Sequence, residues 1–442
     1  MTIRMDEGAA ELLDTLHRAG YAAYVVGGCV RDSLLGLTPH DWDLCTSALP
    51  QQVMELFGAQ RCIPTGLQHG TVTVKQSGAL YEITTFRTEG TYTDGRHPDE
   101  VHFVPDVRED LARRDLTINA MAYNEKEGLV DPFGGQADLQ SGIVRAVGVP
   151  RQRFTEDALR ILRLYRFAAR FGFAIDPPTA QAAQELCAHL DCVSVERIEE
   201  ELAKLLSAPA PAAYLDEKIL GVVLPELSPE ALAAAKPVVD ACPAGEQALP
   251  VRLAALLLSL GEDGTRRTLR RRRCSNACIE ETAVLVREVV SGVPGAFSSD
   301  TNRAIPSPAL LPAATGSHPS GRSSEKLPAR PPVSLNIYTR KLLGQYGLKT
   351  VQRLAALGTA LQPEHAADFA ALSELAEQLD ADGVCCRISQ LAVNGRDLMA
   401  AGVPAGPGIR KLLEALLDGV IREEYPNERQ ALLAAVQQLA AS

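Results

Sequence analysis

The chain has 442 residues, enough for about three domains of ordinary size. Apolar residues make up 46% and charged residues 22%, which excludes a disordered, collagen-like or fibrous chain. Asp and Glu outnumber Lys and Arg by 55 to 44, and with a net charge of −11 the chain as a whole is not a polycation for nucleic acid. Any contact with nucleic acid is therefore expected on a locally basic face.

The cysteines and the apolar runs bear on cellular location. None of the ten cysteines forms a C-x-x-C pair, so zinc-ribbon and thioredoxin-type spacings are absent. The segment Met1–Leu13 lacks the apolar stretch of a signal peptide. The longest apolar run, near Leu253–Leu260, is far below the ~20 residues that span a bilayer. We therefore expect a cytoplasmic protein with reduced thiols and no membrane segment.

The sequence pattern of the first third of the chain is typical of a mixed α/β domain. A β-like run at Tyr21–Val26 ends in two glycines, and a helix is expected over Cys29–Leu35. Further strands are predicted where β-branched and aromatic residues lie between Gly, Pro or Asp, namely at Asp41–Cys45, Thr71–Lys75, Tyr81–Phe86 and Val101–Val104.

From Phe154 onward the pattern predicts helices. Apolar residues recur at intervals of three and four residues, as in Leu159–Phe171 and Val195–Leu206. The stretch 292–332 is rich in Pro, Ser and Gly and cannot bury enough apolar surface to offset its ordering entropy, so we expect a disordered insertion there. The change from a strand period to a helical period predicts a domain boundary near residue 148.

The most informative stretch reads VVGGCVRD at 25–32 and is followed by DWD at 41–43. On a strand, Asp41 and Asp43 project from one side and Trp42 from the other. Two adjacent carboxylates are costly unless a divalent cation neutralises them, and Mg²⁺ favours such an oxygen pair. The glycines and the following helix N-terminus leave room for a triphosphate, which Arg31 could reach. The alternative is a glycine turn followed by two solvated acids, and the missing Gly-Lys-Ser/Thr excludes a Walker loop.

Two further clusters place arginines beside acids. RRDLTINAM at 113–121 could offset triphosphate charge through its arginines, while Asp115 could accept a hydrogen bond from a sugar hydroxyl. A helix N-terminus with a surface ion pair is the alternative. EDALRILRLYR at 156–166 places Asp157 and Arg160 three residues apart, so on a helix they stand side by side.

A carboxylate beside a guanidinium matches the base edges of cytosine and adenine, which present an amino donor next to a ring-nitrogen acceptor. Uracil and guanine present the wrong polarity, and each good pair gives about 1–3 kcal/mol of discrimination. An ordinary intrahelical salt bridge is the alternative. Arg163 and Arg166 follow on the same helix, and six arginines against two acids between residues 151 and 170 predict the locally basic face.

Together these motifs resemble the ordered motifs of the class II CCA-adding enzyme and bacterial poly(A) polymerase family. The matching segments, in the family's order over residues 21–206, are GGxxRD with DxD, RRDxTxNA, DPFGG at 131–135, EDxxRxxR, and VERI at 195–198 with EL at 201–202. Two later segments, VNGRDL at 393–398 and YPNE at 425–428, are similar to the tails of bacterial CCA-adding enzymes.

The resemblance implies an α+β head of the polymerase-β nucleotidyltransferase type, with a mixed or antiparallel sheet, at 1–147. An all-α neck that recognises the base (148–207), a body (208–372) and a tRNA-binding tail (373–442) follow. The implied site residues are Asp41 and Asp43 for the catalytic Mg²⁺, Gly28, Arg31 and Arg114 for the nucleotide, and Asp157 and Arg160 for the base with Arg163 and Arg166 in support. Glu82 falls where related folds carry a third acid, although a strand-edge salt bridge with Arg87 is equally open.

The implied activity is template-independent addition of C, C and A to the tRNA 3′ acceptor end from CTP and ATP, with release of pyrophosphate and no stable protein partner. A poly(A) polymerase shares every head motif, and specialists that add only A or only CC are further alternatives. The Gly-, Asp- and Arg-rich segment Thr88–Glu100 resembles the flexible loop of relatives that add the terminal A, which disfavours an enzyme that adds only CC. An inactive RNA-binding module is disfavoured by the intact aspartates. The run Arg266–Arg273 is either a grip on RNA phosphates or a solvated helix face.

Overall fold

The computed structural model describes residues 3–90, 101–290 and 335–441. The predicted insertion at 292–332 and most of the segment Thr88–Glu100 lie outside the described residues. The chain forms two compact units, Met1–Pro229 and Glu230–Ser442, which are described separately. The finer division into four parts stays a prediction.

The first unit contains eleven strands among its described residues. They are β1 (Ala23–Val26), β2 (Leu44–Thr46), β3 (Cys62–Gly66), β4 (Thr71–Gln76), β5 (Ala79–Thr85), β6 (Arg87–Glu89), β7 (Val101–Phe103), β8 (Ala122–Asn124), β9 (Gly128–Val130), β10 (Ile143–Val144) and β11 (Ala174–Ile175). Seven of them form one mixed sheet in the order β3-β4-β5-β2-β1-β8-β9. Its neighbours are antiparallel except β2 and β5, which run parallel. The pairs β6–β7 and β10–β11 are separate two-stranded sheets.

The helices of the first unit pack around this sheet and then continue without it. They are α1 (Glu7–Arg18), α2 (Gly28–Leu34), α3 (Pro50–Phe57), α4 (Val107–Ala112), α5 (Gly135–Ser141), α6 (Pro150–Glu156), α7 (Leu159–Phe171), α8 (Pro177–Leu186), α9 (Val195–Leu206) and α10 (Glu217–Val223). One core cluster joins the sheet to α4 through Tyr24, Cys45, Phe86 and Leu111, all buried. Burying these apolar side chains fixes β1 and β2, the strands next to the acidic segment at 41–43.

The second unit is helical throughout its described residues. Helix α11 (Pro229–Ala241) crosses the boundary between the units, and the rest are α12 (Leu249–Leu257), α13 (Gly261–Arg271), α14 (Asn276–Val290), α15 (Leu335–Tyr346), α16 (Leu348–Leu361), α17 (Ala366–Ala381), α18 (Gly395–Ala400), α19 (Pro407–Ile421) and α20 (Arg429–Ala441). Asn394 caps the N-terminus of α18, where its side chain accepts hydrogen bonds from the N–H groups of Arg396 and Asp397. Across the described ranges, no helix is long and apolar enough to span a membrane.

The mixed sheet followed by helices confirms the predicted fold class, but two local predictions are wrong. Strand β2 covers Leu44–Thr46, so residues 41–43 precede the strand. The helix predicted to carry both Asp157 and Arg160 is broken, since Asp157 has an extended backbone with φ −144° and ψ 106° between α6 and α7.

Candidate active site

The two aspartates lie where the chain enters the middle of the sheet. Asp41 and Asp43 are exposed, while Trp42 between them is only 9% exposed. The backbone N–H of Val26 donates to the carbonyl of Asp43 at 2.9 Å, which ties this segment to β1. The predicted alternation of faces is therefore confirmed, although these residues stand just before the strand.

Glu82 lies beside Asp43 across the parallel pair of strands. Leu44 of β2 is opposite Ile83 of β5, so the register brings the preceding residues, Asp43 and Glu82, next to each other. Glu82 is exposed on the same side of the sheet. The alternative salt bridge with Arg87 is wrong: Nη1 of Arg87 donates to the carbonyl of His69, and within the described ranges no ion pair joins Arg87 to Glu82.

The electrostatics of Asp43 reflect this gathering of negative charge. The surrounding protein restricts hydration of the carboxylate, and this raises its pKa above the ordinary value even though the side chain reaches solvent. The negative charges of Glu82 and Asp41 raise this pKa further, whereas the Arg114 guanidinium lowers it. A divalent cation would relieve the repulsion among these carboxylates.

The glycine turn before α2 faces Arg114. Gly27 has φ +79°, a conformation that side chains rarely adopt, and a Cβ there would lie 3.0 Å from Nη1 of Arg114. Gly28, the glycine singled out from the sequence, is the first residue of α2 and has ordinary space around it. The turn, Arg114 and Asp43 therefore meet at one place in the unit.

Arg31 lies differently from the expected phosphate ligand. It is 4% exposed, its Nε donates to Asp32 at 2.8 Å, and its Nη1 donates to Asn119 at 2.6 Å. The guanidinium also lies 5.0 Å from the ring centroid of Phe167, on α7. Arg31 thus joins α2 to α7 beneath the glycine turn, because its donors are directed into the interior.

Asp157 and Arg160 are neighbours, but each is paired with another residue. Oδ2 of Asp157 accepts a 2.7 Å hydrogen bond from Nη2 of Arg197, while Oδ1 accepts from the backbone N–H of Leu159 at 3.0 Å. Arg160 is 9% exposed, and its Nη1 lies 2.6 Å from Glu156. The break between α6 and α7 separates the two side chains that a continuous helix would have set in contact.

The supporting arginines of α7 bind acids from elsewhere in the unit. Nε of Arg163 donates to Asp115 at 2.7 Å, and Arg166 contacts Glu201 at 2.5 Å. The carboxylate of Asp115, predicted to accept from a sugar hydroxyl, is 8% exposed and also accepts from Asn119. Its oxygens are thus committed to protein donors.

The six arginines predicted to form a locally basic face at residues 151–170 are likewise paired with acids. Each of them has an acidic partner, contributed by Glu156 or by the distant residues Asp32, Asp115, Glu185 and Glu201. Acids from other elements pair with four of these arginines, while Glu156 of the same segment pairs with the other two.

Two residues of this network were missed at the sequence level. Arg197 and Glu201 both lie on α9, four residues apart, so they share one face of that helix. Arg197 pairs with Asp157, and Glu201 pairs with Arg163 and Arg166. Their spacing of four residues within the motif at 195–202 was the sequence signal that could have identified them.

The donor set at Asp41 and Asp43 suits a divalent metal. Both carboxylates are open to solvent, and among the described residues neither takes part in an ion pair. No group of three His, Cys, Asp or Glu side chains in the described ranges forms a complete metal cage. Mg²⁺ needs no such cage, since it is commonly held by one or two carboxylates together with substrate phosphates and water.

Three family models match this chain. The Poly A polymerase head domain matches residues 23–145, the probable RNA and SrmB-binding site of polymerase A matches 172–230, and the putative tRNA nucleotidyltransferase domain 2 matches 336–436. The first covers the sheet, the glycine turn and the aspartates. Nucleotidyltransferases of this kind generally use a divalent metal.

Full-length relatives distinguish among the members of that broad group. The CCA-adding enzyme of Lactiplantibacillus plantarum is 36% identical over 435 residues, covering 97% of this chain and 95% of the relative. That of Limosilactobacillus fermentum is 36% identical over 442 residues, covering 98% and 97%. These matches include both compact units.

Solved structures agree with the sequence relatives. The crystal structure of the Bacillus stearothermophilus CCA-adding enzyme in complex with CTP is 30% identical, covers 99% of this chain and 98% of that chain, and has a TM-score of 0.77. The Thermotoga maritima CCA-adding enzyme complexed with tRNA is 19% identical with a TM-score of 0.63, a similarity of fold. With its glycine turn, its paired aspartates and full-length relatives at more than a third identity, this chain belongs to the CCA-adding enzyme family of nucleotidyltransferases.

Proposed function

We propose that this member of the family adds C, C and A to the 3′ end of tRNA, using CTP and ATP without a nucleic-acid template and releasing pyrophosphate. The observation that carries the proposal is the meeting of Asp41, Asp43 and Glu82 with Arg114 at the glycine turn. Opposed charges at that point suit a triphosphate approached by a hydroxyl nucleophile.

Asp41 and Asp43 are the proposed ligands for Mg²⁺, and Glu82 is a candidate third acid beside them. When bound, the ion would lower the pKa of the RNA 3′-hydroxyl and neutralise charge on the departing pyrophosphate. The oxygen-only donor set and its exposure fit this ion better than a softer metal, which would favour thiolate or imidazole.

The nucleotide is proposed to rest against Gly27 and Gly28, with Arg114 placing positive charge near the phosphates. Arg31 supports this surface from beneath through Asp32 and Asn119 rather than touching the phosphates. The 3′-hydroxyl attacks the α-phosphorus, the bond to the β-phosphate oxygen breaks, and pyrophosphate leaves. The contribution of Arg114 is electrostatic and orientational.

Base selection is assigned to Asp157 and Arg160, supported by Arg163 and Arg166. The acid and the guanidinium offer the acceptor and donor that the edges of cytosine and adenine require. Because Asp157 is held by Arg197 and Arg160 by Glu156, the two groups are oriented before a base arrives. Preorganisation of this kind favours discrimination over adaptability.

The proposed substrates are found in the cytoplasm, and we propose the same location for this enzyme. The 1–147 head, 148–207 neck, 208–372 body and 373–442 tail are retained as the proposed division of labour, with catalysis in the head, base choice in the neck and tRNA contact in the tail.

The test is incorporation of labelled CTP and ATP, with Mg²⁺, into tRNA lacking CCA, tRNA ending in CC, and an unstructured oligonucleotide. Growth of both tRNAs to CCA followed by arrest is expected. Extension of only the CC-ended tRNA by one A would indicate an A-adding specialist, and long A tails on any RNA would indicate a poly(A) polymerase. No incorporation would contradict every polymerising function.

A further inference from the structure

The C-terminal part of α7 carries an aromatic cluster that the proposed function has not used. Three of the ten phenylalanines of the chain, Phe167, Phe171 and Phe173, fall between residues 167 and 173. The ring centroid of Phe171 lies 6.2 Å from that of Phe167 and 5.5 Å from that of Phe173. Phe167 is 4% exposed and belongs to the helix that carries the proposed base-selecting arginine and its two supporting arginines.

Three guanidinium groups converge on the ring of Phe167. Its centroid lies 3.9 Å from Cζ of Arg166, 5.6 Å from Cζ of Arg163 and 5.0 Å from Cζ of Arg31. All three distances are below the ~6 Å within which the face of an aromatic ring attracts a cation. Two of these arginines belong to α7, while Arg31 belongs to α2, the helix that follows the glycine turn. One ring is therefore in contact with the base-selecting helix and with the support of the triphosphate surface.

Arg31 can bind the head and the aromatic cluster at the same time. Its N–H groups donate to Asp32 and Asn119, while its guanidinium lies over the rings of Phe167 and Phe171, at 5.0 and 5.1 Å. The donors of a guanidinium lie in its plane, which leaves the flat faces available for stacking on aromatic rings. The hydrogen bonds thus attach Arg31 to the head, and its contact with the rings attaches it to α7.

Burial makes this contact the stronger of two links between α2 and α7. The second link is an ion pair of 3.2 Å between Arg170 and Asp32, but the Arg170 side chain is 41% exposed, and exposed ion pairs contribute little. Arg31 is only 4% exposed, and burial lowers the pKa of Arg31 and of Arg166. Cation–π attraction is larger where water is excluded in this way.

We propose that Phe167 is a positioning residue for nucleotide addition, which holds the base-selecting helix α7 at a fixed distance from the glycine turn through the attraction of its ring for Arg31, Arg163 and Arg166. The inference rests on the function proposed above and deepens it. A nucleotide bound by its phosphates at the turn must bring its base edge to Asp157 and Arg160. A small error in that distance costs both binding and discrimination, because the donors and acceptors no longer meet the base edge.

The experiment changes the electrostatics of the ring in the full chain while nearly preserving its shape. Phe167 is replaced by mono-, di- and trifluorophenylalanine, because fluorine withdraws electron density from the face of the ring and weakens its attraction for cations. The measurements are kcat and KM for CTP and for UTP on tRNA lacking CCA, with Mg²⁺. We expect the ratio of kcat/KM for CTP to that for UTP to fall with each fluorine, by about fivefold in the trifluoro protein, and KM for CTP to rise in the same order.

The same series at Phe369 of α17 is the matched control. That side chain is also buried, at 2% exposed, but among the described residues no guanidinium lies over its ring. Fluorination makes a ring more apolar, so a residue that acts only by packing should keep its contribution to nucleotide selection. We therefore expect the Phe369 series to leave the CTP to UTP ratio unchanged. Circular dichroism and the melting temperature establish that each protein is folded.

The conventional variant Phe167→Leu removes the ring altogether and should lower the CTP to UTP ratio at least as far as the trifluoro protein does. An unchanged ratio in Phe167→Leu or across the Phe167 series would overturn the positioning role. Equal losses in the Phe167 and Phe369 series would overturn it as well, because crowding by fluorine would then explain both. The proposed function fails separately, if the wild type does not extend tRNA or does not prefer CTP to UTP.

Discussion

Arg197 holds Asp157 by a hydrogen bond of 2.7 Å between Nη2 and Oδ2, joining α9 to the gap between α6 and α7. Asp157 has an extended backbone there, so no helix fixes its side chain. The second oxygen accepts from Leu159 N–H, which leaves the carboxylate held from two sides. The orientation of the proposed base-reading acid therefore depends on a residue 40 positions away in the sequence.

Arg197→Ala should raise misincorporation of UTP and GTP by about tenfold, because one charged hydrogen bond that orients Asp157 is lost. The ratio of kcat/KM for CTP to that for UTP is the measurement. Arg197→Lys, which keeps the charge at this site, should retain part of the selectivity. An unchanged ratio in Arg197→Ala would show that Asp157 does not need this bond.

Asp41→Asn and Asp43→Asn should each lower the rate of nucleotide incorporation by about 1,000-fold, since a charged metal ligand is replaced by a neutral one. Both side chains are exposed, so the free energy of unfolding should change by less than about 0.5 kcal/mol. The assay is single-turnover incorporation of CTP at several Mg²⁺ concentrations, with the melting temperature measured in parallel. Activity that survives in both variants would contradict the assignment.

Arg160→Ala is expected to act on both selectivity and stability. Arg160 is buried, bonds Glu156, and donates from Nη2 to the carbonyl of Arg113 at 3.1 Å. Its removal should relax the choice of CTP and ATP over UTP and GTP by about 1–3 kcal/mol, the value of one good base-edge pair. It should also lower the free energy of unfolding by about 1–3 kcal/mol, because the hydrogen bonds from Arg160 to Glu156 and to the Arg113 carbonyl are lost, while Arg153 still pairs with Glu156.

The two effects of Arg160→Ala can be separated with Glu156→Gln. That variant removes the negative charge that pairs with Arg160 and Arg153 but leaves both guanidinium groups in place, so it should destabilise the fold and keep most of the selectivity. Urea unfolding and competition between CTP and UTP are the measurements. Equal losses of selectivity in both variants would contradict a base-reading role for Arg160.

Asp115→Asn should weaken the dependence of stability on acid pH. Burial by itself would raise the pKa of Asp115, but Arg163, Arg160 and the Asn119 amide outweigh it and hold the pKa well below the ordinary value of 3.8. A depressed pKa gives stability that is fully present above the unfolded pKa and is lost as pH falls through the range below it. Urea unfolding of wild type and Asp115→Asn from pH 6 to pH 3 tests this.

In that comparison the variant should be less stable by about 2–3 kcal/mol at pH 6, because Arg163 loses its closest acid. The difference in the free energy of unfolding between wild type and Asp115→Asn should become smaller toward pH 3. Parallel pH profiles for the two proteins would mean that the Asp115 carboxylate contributes no proton-linked stability.

Gly27→Ala should weaken nucleotide binding through a displaced Arg114, in addition to lowering the free energy of unfolding. The residue has φ +79°, which costs a side chain about 1–2 kcal/mol, and the new Cβ would press on Nη1 of Arg114 at 3.0 Å. Displacement of Arg114 should raise KM for CTP and ATP. Gly20→Ala is a matched control, since it also has positive φ, +89°, but nothing within 4 Å; an equal rise in KM in both variants would contradict the specific role of Gly27.

Much of the site was readable from the chain alone. The glycine turn, the acid pair and the arginine-rich motifs are local features, because a turn that needs positive φ selects glycine and alternation along an extended segment sets Asp41 and Asp43 to one side. The order of those motifs also indicated the family, and the period of the apolar residues separated the sheet from the helices.

Tertiary structure decided the partners of the charged residues. Asp43 lies beside Glu82 because β2 and β5 pair in parallel with Leu44 opposite Ile83. The Asp157 side chain does not contact that of Arg160 because α6 ends at Glu156 and α7 begins at Leu159. The arginines of α7 look basic along the chain but lie among acids supplied by other elements, whereas Arg267 and Arg270 on α13 remain exposed. Sequence spacing determines which face of an element a side chain occupies, but electrostatic energy depends on distances through space, and these are set by how the elements pack.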